Sequence, residues 1–179
     1  MDEFEPIKQR IRQAPLSEPP EPWKLLGTIA IGDIMEVGFA EDSEMLLVLS
    51  GHDRELIDCH SGRRVARDPG VEHRSSWYGA HDLIGNGFGP MSGRQVRLAG
   101  VGGGGLARIT RDGWGAVRAP IDWPDEFLLL TAPYSSIFHP EAQFWKLAAA
   151  HEPVAWGFSY TGKSLIAATA EGVTIFGRE

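Results

Sequence analysis

From Trp23 onward the apolar residues fall in short runs of four to seven, each closed by a polar or glycine-bearing turn. WKLLGTIAIG is the first run, and Gly32 closes it. In IMEVGF the order alternates, which predicts a strand with Met35, Val37 and Phe39 inward and Glu36 and Gly38 outward. The turn AEDSE leads to MLLVLSG, a run apolar enough to be buried on both faces. HDRE, LIDC, HSGRR and VAR follow as turn, strand, turn and strand, so four short strands are expected over 34–67. RQVRLAGV, LARIT and WGAVRA predict three more short strands, separated by GGGG and by RDG, whose Asp112-Gly113 is a strong hairpin signal. DEFLLLTAP, 125–133, reads as a buried strand ended by Pro133.

Two stretches carry a helical period. Phe4, Ile7, Ile11 and Ala14 recur at three and four residues, with Pro6 in the first turn where it is tolerated, so 3–14 predicts a short amphipathic helix. PLSEPPEP, 15–22, is too proline-rich for helix or central strand and reads as an extended linker. Residues 1–23 therefore stand apart, as a short helix or tail with its linker, from a single all-β domain over 24–179. HPEAQFWKLAAAH, 139–151, is the clearest non-strand segment: Pro140 suits a helix start, and Ala142, Trp145, Leu147 and Ala148 favour one.

The strand pattern repeats. VGFAEDSEMLLVLS (37–50) aligns without a gap on WGFSYTGKSLIAAT (156–169), Gly38 on Gly157, Phe39 on Phe158, Leu46 on Leu165. Each copy continues through an acidic turn into another strand, LIDC or VTIF. The second copy contains G-x-x-x-x-G-K-S, Gly157 to Ser164, the letters of a phosphate-cradling loop. The alignment places a β-hairpin turn there instead. A phosphate loop must open a helix, whereas SLIAAT runs into Gly172 and a β-branched strand. Nucleotide binding is not expected.

GFSYTGKSLIAATAEGVTIF resembles the repeat of WD-type β-propellers. Phe158, Ser159, Gly162, Leu165, Ala167, Glu171, Gly172, Val173, Ile175 and Phe176 hold the comparable places, and 34–67 resembles a second, less regular copy. At the place of the family's Trp-Asp pair stand Phe176-Gly177 and Asp58-Cys59. Gly157 lies 119 positions after Gly38 (157 − 38), close to three blades of about 40 residues. The resemblance implies a small propeller-like arrangement of short antiparallel sheets, four degenerate blades with one short helix. The alternative is an open two-sheet β-sandwich. An unclosed ring would leave unpaired edges that invite a homodimer.

Composition narrows the function. The 179 residues carry a net charge of −7, which disfavours phosphate backbones and hence nucleic acid. The 22 glycines and 12 prolines suit many turns. One cysteine, Cys59, gives no internal disulfide and no cysteine-based zinc site. No apolar run approaches a membrane span of about 18 residues, and the N-terminus has no signal core, so a cytoplasmic protein without a membrane partner is expected.

Six histidines show no H-x-x-x-H or H-x-H spacing. His52-Asp53 and His81-Asp82 are neighbours in sequence, which on a strand point to opposite faces. No catalytic residue, metal ligand or cofactor is assigned. GVGGGG, 100–105, reads as a flexible or bulged hairpin, although its backbone could approach a phosphate. Of six tryptophans, Trp77 stands out in the polar context SSWYGAHD. Trp77, Tyr78, His81 and Asp82 form the candidate partner-binding loop, since exposed Trp and Tyr anchor interfaces. The competing reading has Trp77 plugging the core between sheets. A non-catalytic protein-binding module is expected, of the adaptor, inhibitor or immunity type. The alternative is a small-molecule-binding protein or hydrolase with a His/Asp site in a loop pocket.

Overall fold

A computed structural model describes residues 4–70, 76–79 and 82–179. Its elements are α1 (Glu5–Gln13), β1 (Lys24–Ala30), β2 (Ile34–Phe39), β3 (Met45–Ser50), β4 (Arg54–Asp58), β5 (Arg63–Asp68), β6 (Tyr78–Gly79), β7 (Ile84–Asn86), β8 (Gln95–Arg97), β9 (Ala99–Gly100), β10 (Gly115–Asp122), β11 (Asp125–Thr131), β12 (Phe144–His151), β13 (Ala155–Phe158), β14 (Ser164–Thr169) and β15 (Gly172–Gly177). The protein is all-β, in four antiparallel sheets rather than two: β5-β4-β3-β2-β9, β6-β7-β8, β10-β11-β12 and β1-β15-β14-β13. Among the described residues no helix is long and apolar enough to cross a membrane.

The sheets pack face to face because their central strands are apolar on both sides. In β3, Leu46 and Val48 join Ile166, Ala168, Val173 and Ile175 in the core between the β2–β5 and β13–β15 sheets. Leu47 and Leu49 point the other way, onto Trp77, Met91, Val96 and Leu98. In β14, Leu165 and Ala167 turn toward Trp114, Leu128 and Leu130 of the β10–β12 sheet. Each such side chain taken from water contributes about 1.5–3 kcal/mol, so the unbroken apolar runs are what bind neighbouring sheets together. The outer face of β10–β12 is covered by α1, whose Ile11 packs on Ala119 and Leu129. Arg10 extends over the Phe144 ring, and Lys146 donates 3.1 Å to the Arg12 carbonyl at the helix end.

The internal repeat is structural as well as textual. Ala40 N–H bonds Met45 O, and 119 positions later Ser159 N–H bonds Ser164 O. Cys59 N–H bonds Glu44 O, and Arg178 N–H bonds Lys163 O, again 119 apart. Gly38 and Gly157 are equivalent too. A Cβ at Gly38 would strike the Arg97 carbonyl, and one at Gly157 would come within 2.6 Å of Leu106 Cβ. Both sit on a strand that a distant segment of the chain crosses closely, Val96–Arg97 at Gly38 and Leu106–Ala107 at Gly157, which only glycine allows. The first copy obtains its outer strand, β5, from the chain that follows β4. The second obtains it from the far end of the sequence, since β1 pairs with β15 from Lys24–Gly177 to Ala30–Gly172.

Three expectations are corrected. Residues 139–151 do not form a helix: 144–151 is β12, paired with β11 from Thr131–Phe144 to Asp125–His151. Helix propensity is a weak preference, and the ladder of pairs with β11 overrides it. The one described α-helix is α1. Residues 106–110 make only isolated bridges, Ala107 to Phe158 and Ile109 to Gly115, rather than a strand. Glu36 does not face outward. It is buried, because β2 is flanked by β3 and β9 and covered on both faces.

Candidate functional site

Trp77 is fully buried, with Arg54 5.6 Å over its ring, so it packs as the core plug rather than as an exposed anchor. Asp82 is exposed. His81 and the Tyr78 side chain lie outside the described residues. Of the four, the described residues thus place Trp77 in the core and Asp82 at the surface.

The other candidate chemistry disperses. The Gly157–Ser164 letters form the β13–β14 hairpin. Its amides are spent internally: Gly162 N–H bonds Ser159 O, Lys163 N–H bonds Thr161 Oγ1, and Ser164 N–H bonds Ser159 Oγ. His52 Nε2 lies 2.8 Å from Asp33 and His151 Nδ1 2.9 Å from Asp125, both pairs well exposed and on different sheets. Cys59 is buried, and burial together with nearby Glu44 and Asp58 pushes its thiol well above its ordinary range, which suppresses the thiolate. Among the described residues no group of three or more His, Cys, Asp or Glu could hold a metal ion.

The surface feature that does stand out is a groove of about 550 Å³ beside β10. Three segments build it. The first is 108–109, which lies along β10 through the Ala116 N–H to Arg108 O bond. The second is the tight turn 110–114, fixed by Thr110 N–H to Trp114 O, Gly113 N–H to Thr110 O and Trp114 N–H to Thr110 Oγ1. The third is the loop 131–138 after β11. Its walls are apolar and open to water: Ile109 is 71% exposed, Tyr134 84% and Phe138 64%. Phe4 meets Phe138 edge-on at 5.9 Å, extending the same surface.

Tyr134 is held at φ 58°, the left-handed region that costs a side-chain-bearing residue about 1–2 kcal/mol. Its N–H bonds Gly113 O at 2.9 Å, and its ring lies against Gly113, where a Cβ would come within 2.9 Å of it. Burial does not repay that strain, since most of the ring faces solvent. Charge lines the rim. Arg118 makes two parallel 2.7 Å bonds to Glu126, which keeps both charges paired. Among the described residues, neither Arg108 nor Arg111 has an acidic partner. The groove therefore offers aromatic area, a preset Tyr134 and unpaired positive charge on a protein that is acidic overall.

No sequence signal joined these residues. Ile109, Tyr134 and Phe138 come from separate segments, and none carries a motif. No protein-family model matches the chain, and no curated protein matches it.

Proposed function

We propose that the protein is a non-catalytic protein-binding module that takes its partner in the Ile109–Tyr134–Phe138 groove. The carrying observation is Tyr134, strained in backbone yet exposed in side chain. Strained residues collect at functional positions, and exposed Tyr, Phe and Arg are the residues that anchor interfaces. Three large apolar side chains in one patch form a surface that a monomer seldom leaves bare.

On the same reading the sheets are four degenerate blades of a small propeller-like scaffold. The repeat at 119 residues, the successive face-to-face packing and the completion of the last sheet by β1 support this. A single, buried cysteine suits a reducing cytoplasm. An adaptor or an inhibitor of one target fits these features.

The test is capture of a partner by the tagged protein and by two variants. Ile109→Ser with Phe138→Ser removes the groove's apolar walls. Trp123→Ser alters an equally exposed residue, 69% accessible, at the tip of the β10–β11 hairpin. One stoichiometric partner is expected with the native protein and the Trp123 variant, and none with the groove variant. Retention by the groove variant would sink the assignment.

A further inference from the structure

Behind the groove lies a second, smaller cavity of about 50 Å³, and the two share Arg108 and Arg118. It forms where three sheets meet: Ala99 and Gly100 of β9, Arg118 of β10, and Ala155 and Trp156 of β13. The glycine run closes it through Gly104 and Gly105.

The run has two halves with different duties. Its first half is tied down. Gly100 and Gly103 exchange backbone bonds at 2.9 and 3.1 Å, Val101 N–H bonds Met35 O, and Gly102 N–H bonds the Glu36 carboxylate at 2.7 Å. Its second half is not. Among the described residues the N–H groups of Gly104 and Gly105 donate to no protein acceptor. Gly104 sits at φ 74°, and a Cβ there would collide with the Leu98 carbonyl, so no side chain can replace it. Successive free amides beside a left-handed glycine form an anion-binding concavity. Arg108, which has no acidic partner among the described residues, lines the same cavity.

We propose that Gly104, Gly105 and Arg108 bind the terminal carboxylate of a partner segment whose last apolar side chain lies in the groove. The proposal rests on the groove being the partner site. A volume near 50 Å³ holds a few water-sized groups, which suits a carboxylate and excludes a nucleotide. The charge balance also selects a monoanion. Arg118 is already neutralised by Glu126, so among the described lining residues Arg108 supplies the uncompensated positive charge, and Glu126 would repel a phosphate dianion more strongly. Capture of a chain terminus by backbone amides is an established way to read a peptide end.

N-acetylphenylalanine and N-acetylphenylalaninamide, titrated into the ¹⁵N-labelled full chain, differ only in the terminal charge. The acid should shift the Gly104 and Gly105 amide signals and saturate at least ten-fold earlier than the amide, with the advantage shrinking as salt is added. Arg108→Gln should erase the difference. Tyr134→Gly should weaken both compounds and keep the preference. Lys163→Gln, at the phosphate-loop-like hairpin, should change nothing. The α-carboxamide of N-acetylglutamic acid, whose one remaining carboxylate is that of the side chain, should bind more weakly than the phenylalanine acid. Equal binding of acid and amide by the native chain overturns the proposal, as does loss of binding in the Lys163 variant or tighter binding of the glutamate probe. If a partner is nonetheless captured through the Ile109 and Phe138 walls, the groove reading survives that failure. A partner indifferent to those walls overturns both.

Discussion

Arg178 grips Asp112 with two hydrogen bonds, 2.5 and 2.7 Å long, while its Nε donates 2.8 Å to Gly162 O and its guanidinium lies 4.7 Å over the Trp23 ring. One side chain thereby joins the end of β15, the β13–β14 hairpin, the turn before β10 and the entry to β1. That turn is also a wall of the groove, so the clamp positions the candidate site from behind.

The clamp makes stability depend on acid. The Arg178 hydrogen bonds hold the Asp112 carboxyl well below its usual range. Such a group contributes stability above its unfolded pKa and loses it as pH falls through the lower folded value. Asp112→Asn should therefore melt lower than the native protein above about pH 5, and the gap should narrow as the solution is made more acidic. Because Asp112 is half exposed, the gap should be modest, about 0.5–1 kcal/mol. Thermal melts of both proteins from pH 2.5 to 7 check it, and a gap that widens in acid would contradict it.

Glu36 carries the opposite sign. Burial raises its carboxyl pKa, and only the Gly102 N–H bond works against this. Its Oε2 is buried without a hydrogen-bond partner. A raised folded pKa means stability present at low pH and lost as pH rises from the unfolded value through the folded one. Glu36→Gln keeps an acceptor for Gly102 and removes the buried charge. At pH 7 it should raise Tm by about 2–4 °C, the response to roughly 1 kcal/mol in a chain of this size, with no gain at pH 4.

Trp77→Ala should cost about 3–5 kcal/mol, because the ring is fully buried among Leu47, Leu56, Met91 and Leu98. Denaturant unfolding should show that loss. A variant with native stability and no partner would return Trp77 to the interface.

Tyr134→Gly should leave stability within about 0.5 kcal/mol of native. Relief of the left-handed strain is offset by the greater freedom of glycine in the unfolded chain. Partner affinity should nevertheless fall at least ten-fold. A large loss of stability would mean that the ring holds the 131–138 loop in place rather than serving a partner.

The strands of the two repeats were legible because each satisfies two conditions at once. The runs 45–50 and 164–169 are apolar throughout, and turn residues bound them on both sides. The 3–14 helix followed from its spacing, and Ile11 is the residue it buries. The segment 139–151 was misread because its alanines carry little signal of their own. Pairing with β11 decides their conformation, and that partner strand lies across a loop. The groove was invisible for a related reason. Tyr134 occupies a conformation that sequence announces only when glycine or asparagine stands there, and Ile109 and Phe138 share its groove only once the 131–138 loop has closed on the 110–114 turn. Arg108 stands three residues after the glycine run in sequence, but nothing in the letters shows that the two line one cavity.

The pairing of β1 with β15 has a consequence in time. On the ribosome β1 emerges well before its partner strand, since Ala30 stands 142 positions ahead of Gly172 (172 − 30). At about 5–20 residues per second that is roughly 7–28 s of synthesis. Throughout that interval Leu25, Leu26 and Ile29 have no sheet to join. The nascent chain thus carries an orphan strand until β15 is made.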